Sequence, residues 1–194
     1  MKLRLPGFSA ISKLIIDIPE LTAREDHRGI VMATVVCVRI GEEAFGTNAG
    51  FGQLMLTIRA EFESELDALD AEICARARAY ARHDGITNVE VQYRDSFPET
   101  RNTPDAVAAV RKARLECGLP EARWDEPFRS SEDFGCYTKL TSGALFYIGC
   151  GTRHAKLHTR EYDFNDEIIE PAVDMMFRLG SNGEVGGQAV LGRQ

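Results

Sequence analysis

The chain has 194 residues, 44% hydrophobic and 27% charged, with 23 Lys and Arg against 30 Asp and Glu and a formal net charge of −7. That length holds one large domain or two small ones, and the composition is ordinary for a globular protein. The excess of acids speaks against nucleic acid as a partner, and no run reaches the roughly 18 apolar residues that would insert in a membrane.

The N-terminal stretch "MKLRLPGFSAISKLIIDIPEL" is broken by Lys13 and Asp17 and is followed by no small-residue cleavage site. It is not read as a signal peptide, and the expectation is a cytoplasmic protein. Within it, "KLRLPG" predicts a short strand with Leu3 and Leu5 on one face, and "AISKLIIDIPEL" a helix that Pro19 ends or kinks. "GIVMATVVCVRI", rich in β-branched residues, predicts a strand. "GEEAFGTNAG" is a loop punctuated by Gly41, Gly46 and Gly50, and "FGQLMLTIRAEF" a strand in which Leu54, Leu56 and Ile58 alternate.

The clearest helix is "SELDALDAEICARARAYARHDG", where Leu66, Leu69, Ile73, Ala77 and Tyr80 form one apolar stripe. Ser64 is its expected N-cap, with Asp67 three residues on, and Gly85 its expected C′ glycine. "TNVEVQYR" alternates again through Val89, Val91 and Tyr93. The order β-α-β-β-α-β predicts a ferredoxin-like α/β unit, an antiparallel sheet with two helices on one face. That fold hosts many functions and names none.

"DSFPETRNTPD" breaks the pattern and sets an expected boundary between domains 1–100 and 101–194. Thr103 and Pro104 open the next helix as N-cap and N1, Ala106, Val110, Ala113 and Cys117 mark its stripe, and Gly118 ends it. In "SSEDF", Ser130 and Asp133 fit a capping pattern that starts a helix near 131. The other reading sets Glu132 or Asp133 in a cleft for acid–base work. "GALFYIGCG" predicts a strand buried on both faces, which asks for neighbours that one strand between helices does not supply. "IIEPAVDMMFRLG" predicts a helix starting near Pro171 after a short separate turn and ended by Gly180, with a Gly-rich tail. Asn165 is the alternative cap.

Five widely spaced cysteines, with no C-x-x-C pair, indicate neither a zinc knuckle nor a disulfide framework and read mostly as small buried hydrophobes. No G-x-S-x-G, dinucleotide fingerprint, P-loop or H-E-x-x-H is present. "GTNAG" has no helix directly after it and so is not a phosphate cradle. "LHTREYDFNDE" sets His158 ahead of Glu161, Asp163, Asp166, Glu167 and, beyond it, Glu170. By spacing alone this is either a surface histidine beside a charged turn or one corner of a metal site, which needs several converging ligands.

Taken together, "RSSEDFGCYTKLTSGALFYIGCG" and "LHTREYDFNDEIIEPAVDMMFRL" resemble the C-terminal signature of the aminoacylase/carboxypeptidase metallopeptidases, notably N-acyl-amino-acid amidohydrolases such as hippurate hydrolase. "MKLRLPGFSA" and "GEEAFGTNAGFGQLMLTIRAE" resemble the first strand and central hairpin of that family's ferredoxin-like lid. The likeness runs to about residue 180. It implies a lid and dimerisation domain followed by the C-terminal α/β part of a catalytic domain.

In that family two metal ions, usually zinc or another divalent metal, polarise the amide carbonyl and generate a hydroxide, with a glutamate as general base. Matched residue by residue, His158 corresponds to the last metal ligand. Glu132 and Asp133 correspond to the loop lining the active-site side and are the catalytic candidates. Gly46 to Asn48 correspond to the lid hairpin that approaches the substrate, making Gly46 and Asn48 the substrate-binding candidates. The implied substrate is a small N-acyl amino acid or peptide, and the implied assembly a homodimer.

Three departures bear on this. The family's H-x-D segment, bridging Asp and Glu-Glu pair belong to an N-terminal half that would precede Met1. "GFSA" runs straight into "ISKLI", without the lid histidine that stabilises the partner subunit's oxyanion. Gly46 stands where the family's hairpin has an Asn. The chain thus carries at most one metal ligand. The expected function is part of a metal-dependent amidohydrolase, incomplete and inactive alone. The alternatives are a non-catalytic truncated relative acting as a dimerisation or binding module, or an unrelated ferredoxin-like ligand-sensing protein.

Overall fold

The computed structural model describes residues 1–5, 8–86, 88–122, 124, 127–152 and 154–181. The chain divides into two units, one of Met1–Glu99 with Pro127–Ser131, the other of Thr100–Glu126 with Glu132–Gln194. The Gly-rich tail lies outside the described residues. No described helix is long and apolar enough to cross a membrane.

The first unit runs β1 (Lys2–Arg4), α1 (Phe8–Thr22), β2 (Val31–Ile40), β3 (Gly52–Ala60), α2 (Glu63–His83) and β4 (Glu90–Gln92). The strands form one antiparallel sheet in the order β2-β3-β1-β4, so the fold is the expected ferredoxin-like one. Directly opposed residues in antiparallel strands share a face. Leu3, Leu54, Leu56 and Val91 therefore line one face, where they meet Ala10, Ile11 and Leu14 of α1 and Leu69, Ile73 and Ala77 of α2. The other face carries Lys2, Arg4, Gln53, Met55, Thr57 and Arg59. The Arg59 guanidinium donates to the carbonyl of Arg129, in the returning segment of the same unit.

A β-bulge adjusts β2. Val35 opposes Leu56 and Cys37 opposes Met55, so Val36 is the extra residue. Before the bulge the odd-numbered Val31, Ala33 and Val35 share the helix-covered face; after it the even-numbered Val38 and Ile40 do. The insertion keeps Val35 and Val38 on the same face as Leu56 and Leu54, extrudes Val36, and leaves Arg39 opposite Gln53 on the polar face.

Two expected helix ends differ. Pro19 does not end α1, which continues to Thr22. Buried Ile18 and Leu21 hold the last turn on the core, and the Thr22 hydroxyl donates to the Ile18 carbonyl at 3.1 Å. Ser64 does not cap α2. The helix starts at Glu63, whose N–H is taken by the Glu99 carboxylate at 2.8 Å, while the Ser64 hydroxyl accepts from Arg28 at 2.8 Å. Gly85 is the C′ residue, at φ +74°. Its N–H bonds the Arg82 carbonyl at 3.0 Å and the Ile86 N–H bonds Ala81 at 2.8 Å, the paired bonds of a Schellman motif.

The second unit contains α3 (Pro104–Glu116), α4 (Gly135–Thr138), a 3₁₀ turn (Asp166–Ile168) and α5 (Ile169–Ser181). Thr103 and Pro104 occupy the N-cap and N1 positions of α3, and Gly118 closes it by the same paired bonds. α3 packs on α5, with Ala113 and Met175 buried. Arg178 of α5 reaches Glu116 of α3 at 3.8 Å.

The helix expected near 131 begins instead at Gly135 and has four residues. No side chain caps it. The Asp133 and Phe134 carbonyls accept from Cys136 and Tyr137, both at 2.9 Å, so backbone bonds set the start. The strand expected over "GALFYIGCG" does not form among the described residues, and the segment is half-exposed. All four strands of the sheet lie in the first unit, and a strand needs a neighbouring row of donors and acceptors. The last helix starts two residues before Pro171, after the separate turn. Asn165 caps that turn by accepting the Glu167 N–H at 3.1 Å. Of the five cysteines only Cys74 is buried, and Cys136 is exposed; all are free.

Candidate functional site

The β2–β3 connection holds Gly46 and Asn48 in the first unit. The loop is closed by the Gly41 N–H on the Phe51 carbonyl at 2.8 Å. Gly41 sits at φ +61°, and a Cβ there would stand 2.9 Å from the Ala49 Cβ, so the turn requires glycine. Gly46 is also left-handed, at φ +81°, with open space around it. Gly46 and Asn48 are both exposed, and so is the ring of Phe45 beside them.

Glu132, Asp133 and His158 lie in the second unit. Glu132 and Asp133 are exposed ahead of α4. His158 is exposed in a tight turn, where the Thr159 N–H and hydroxyl both bond the Lys156 carbonyl, at 3.2 and 2.7 Å. His158 takes φ +65°, the left-handed region that few non-glycine residues adopt. Turn and left-handed backbone together leave the imidazole exposed to solvent. The His154 Nδ1 is 2.9 Å from the Ala155 carbonyl.

Two arrangements around these residues were not read from the sequence. Asn165, besides capping the turn, donates from Nδ2 to the Cys150 carbonyl at 3.1 Å. It thereby ties the end of the apolar 143–150 segment to the entry of α5. Thr103 and Ser142 form a hydroxyl pair at 2.6 Å, and Ser142 donates to the Asp105 carboxylate. The hydroxyl bonds of Ser142, and then of Thr103, hold the Asp105 carboxyl below the usual carboxylate range. Residues 39 positions apart give no local signal of such a pairing.

A third cluster lies in the first unit. His27, Arg28, Ser64 and Glu65 line a cavity of about 280 Å³ between the end of α1 and the start of α2. Glu65 accepts from the Arg28 N–H at 2.6 Å, and its Oε1 is 4.0 Å from the His27 Nδ1. The His27 Nε2 is 3.0 Å from the Leu21 carbonyl. The run "REDHRG" was the available hint, but its partner Glu65 is 37 residues away.

Among the described residues no three His, Cys, Asp or Glu side chains stand close enough to share a metal ion. His158 offers a single imidazole, and a catalytic zinc takes three protein ligands. The described residues by themselves do not make a metal centre.

No family model matches the sequence. An uncharacterized hydrolase of Staphylococcus haemolyticus is 27% identical over 133 residues, 66% of this chain and 34% of that protein. Among solved structures, a dinuclear metal binding peptidase of the M20 family from Bacillus subtilis superposes with a TM-score of 0.73 at 16% identity, over 92% of this chain and 47% of that one. Aminopeptidase PepT from Bacillus cereus gives 0.66 at 13% identity, over 92% and 49%. The chain therefore spans about half the length of these solved relatives and a third of the curated one. Its fold is that of one half of M20-type metal peptidases, and its structural neighbours are metallopeptidases and amidohydrolases.

Proposed function

We propose that residues 1–194 are the lid, residues 1–100, and the C-terminal catalytic part, residues 101–194, of a metal-dependent amidohydrolase. The substrate class is the amide bond of N-acyl amino acids or small peptides, and the metal is zinc or another divalent ion. The observation that carries this reading is the superposition of 92% of the chain on one half of a dinuclear metal peptidase. His158 supplies one metal ligand. Glu132 and Asp133 line the catalytic side, and the hairpin around Gly46 and Asn48 approaches the substrate. The remaining ligands come from polypeptide beyond these residues, so the chain is inactive alone. The test is an assay with N-acetyl and N-benzoyl amino acids in zinc, cobalt or manganese. No turnover above the metal blank is expected, and hydrolysis at ordinary enzyme rates would overturn the claim of incompleteness.

One observation favours a second reading, a non-catalytic dimerisation module. β2 is a ten-residue edge strand, and Val35, Val36, Val38 and Ile40 on it are exposed. Edge strands left open in monomers are usually short or charged. Pairing of two β2 edges would cover this one. The two readings share the dimer and differ in whether activity returns when the missing ligands are supplied.

A further inference from the structure

One row of residues crosses the polar face of the sheet beside the β2–β3 hairpin. Gln53 of β3 opposes Arg39 of β2 on one side and Arg4 of β1 on the other, and Arg4 in turn opposes Glu90 of β4. Directly opposed residues share a face, and the helices pack on the other one, with Leu54 in the core. Gln53 is nevertheless only 3% exposed, and its carboxamide has no hydrogen-bond partner among the described residues. A polar side chain buried in that way is costly and uncommon.

Cations surround it. Arg4 lies over the Phe51 ring, 5.9 Å from its centroid, and meets Glu90 at 3.5 Å in a half-exposed pair. Such pairs contribute little to stability. Arg39 is exposed and has no carboxylate partner among the described residues, and Lys2 stands one row away on the same face. The Cα atoms of Arg4 and Arg39 are about 10 Å apart, two strand spacings, so both guanidiniums reach the space above the carboxamide. Lys2, Arg4 and Arg39 outnumber Glu90 on this patch, in a chain whose net charge is −7.

We propose that Arg4, Gln53 and Arg39 form a binding site for a phosphate group, free or esterified to a small molecule. Guanidinium forks bind phosphate oxygens in pairs, and the Gln53 amide donates one more bond. A phosphate charge of roughly −2 balances the excess of cations. A carboxylate brings half that charge, and Glu90 already presents one to Arg4. None of the three residues is assigned above to metal, catalysis or substrate, so the site stands or falls apart from the amidohydrolase reading.

The test uses the 194-residue chain at low ionic strength, where screening is weak. Inorganic phosphate is the probe, glycerol 3-phosphate the ester and acetate the planar control, with binding read by NMR amide shifts and calorimetry. Wild type is expected to bind phosphate saturably, with the largest shifts at Arg4, Arg39 and the Gln53 carboxamide. Acetate should bind about tenfold more weakly or worse, having half the charge. Tighter binding of the ester assigns the site to an organic phosphate and tighter binding of inorganic phosphate to the free ion, and either result supports the proposal.

Arg39→Gln removes an exposed guanidinium, so the fold should persist while phosphate affinity falls about tenfold. Gln53→Glu places a carboxylate between the two arginines and should abolish phosphate binding with thermal unfolding unchanged or raised. Shifts that fail to saturate, or that spread evenly over other lysines and arginines, overturn the proposal. So do equal affinity for acetate, an Arg39→Gln chain that binds as tightly as wild type, and a Gln53 carboxamide signal that phosphate does not move.

Discussion

The carboxamide of Asn102 pairs with both backbone polar groups of Leu145, accepting its N–H at 2.8 Å and donating to its carbonyl at 2.9 Å. One side chain thus does for one residue what a neighbouring strand does for a whole segment. Asn102→Ala removes both bonds, each worth about 1 kcal/mol net. The expected result is a loss of about 1–2 kcal/mol in the second unit and faster amide exchange at Leu145, with the first unit unchanged. Exchange read by NMR, with Leu145 as slow in the variant as in wild type, would show that the pairing contributes nothing.

The core of the first unit converges on Leu54, which opposes Leu3 on one side and Val38 on the other and is fully buried. Leu54→Ala leaves a cavity where three strands and the helices meet. A loss of about 2–5 kcal/mol is expected in urea unfolding followed by circular dichroism.

Asp105 gives the second unit an acid sensitivity. Its folded-state carboxyl titrates below the usual range because Ser142 and Thr103 bond the charged form. A lowered pKa contributes stability above the unfolded-state value, about 3.9, and that stability is lost as pH falls through the folded value. Ser142→Ala should return Asp105 towards the ordinary range and reduce the acid-induced loss below about pH 4. Carboxyl-carbon NMR titration reads this directly, and an Asp105 midpoint unmoved by the substitution contradicts it.

If the dimerisation reading holds, the β2 edge sets the oligomeric state. Wild type is expected to scatter light at twice the 21.5 kDa monomer mass at micromolar concentration. Val36→Lys places a charge at a bulge residue that is 62% exposed, so the fold should persist while the dimer dissociates. A monomeric wild type would count heavily against the dimerisation module.

Legibility followed the reach of each signal. The alternation of Leu54, Leu56 and Ile58 and the stripe Leu69, Ile73 and Ala77 are local and periodic, and the observed elements follow them. The Gly85 and Gly118 stops were equally readable, because a left-handed C′ residue is a requirement of the backbone itself. The caps read at Ser64 and Ser130 were not used. Arg28, 36 residues away, took the Ser64 hydroxyl, and backbone bonds alone started α4. The bulge at Val36 was visible only as a change of parity between Val35 and Val38, which acquires meaning once β3 is known to lie opposite. Of the candidate site, the residue types, the glycine-punctuated hairpin and the surface position of His158 beside a turn were legible, while the left-handed backbone at His158 was not.

By itself the sequence determined the β-α-β-β-α-β order, the apolar faces of its strands and helices and about half of the helix ends, among them the glycine stops at Gly85 and Gly118, because these depend on periodicity and backbone conformation within a few residues. Tertiary structure decided what depends on partners far along the chain. It gave the sheet order with β2 at the edge, joined Asp105 to Ser142, and left segment 143–150 without a ladder. A strand is completed only by a neighbour, and the apolar run from Gly143 to Cys150 meets none among the described residues of this chain.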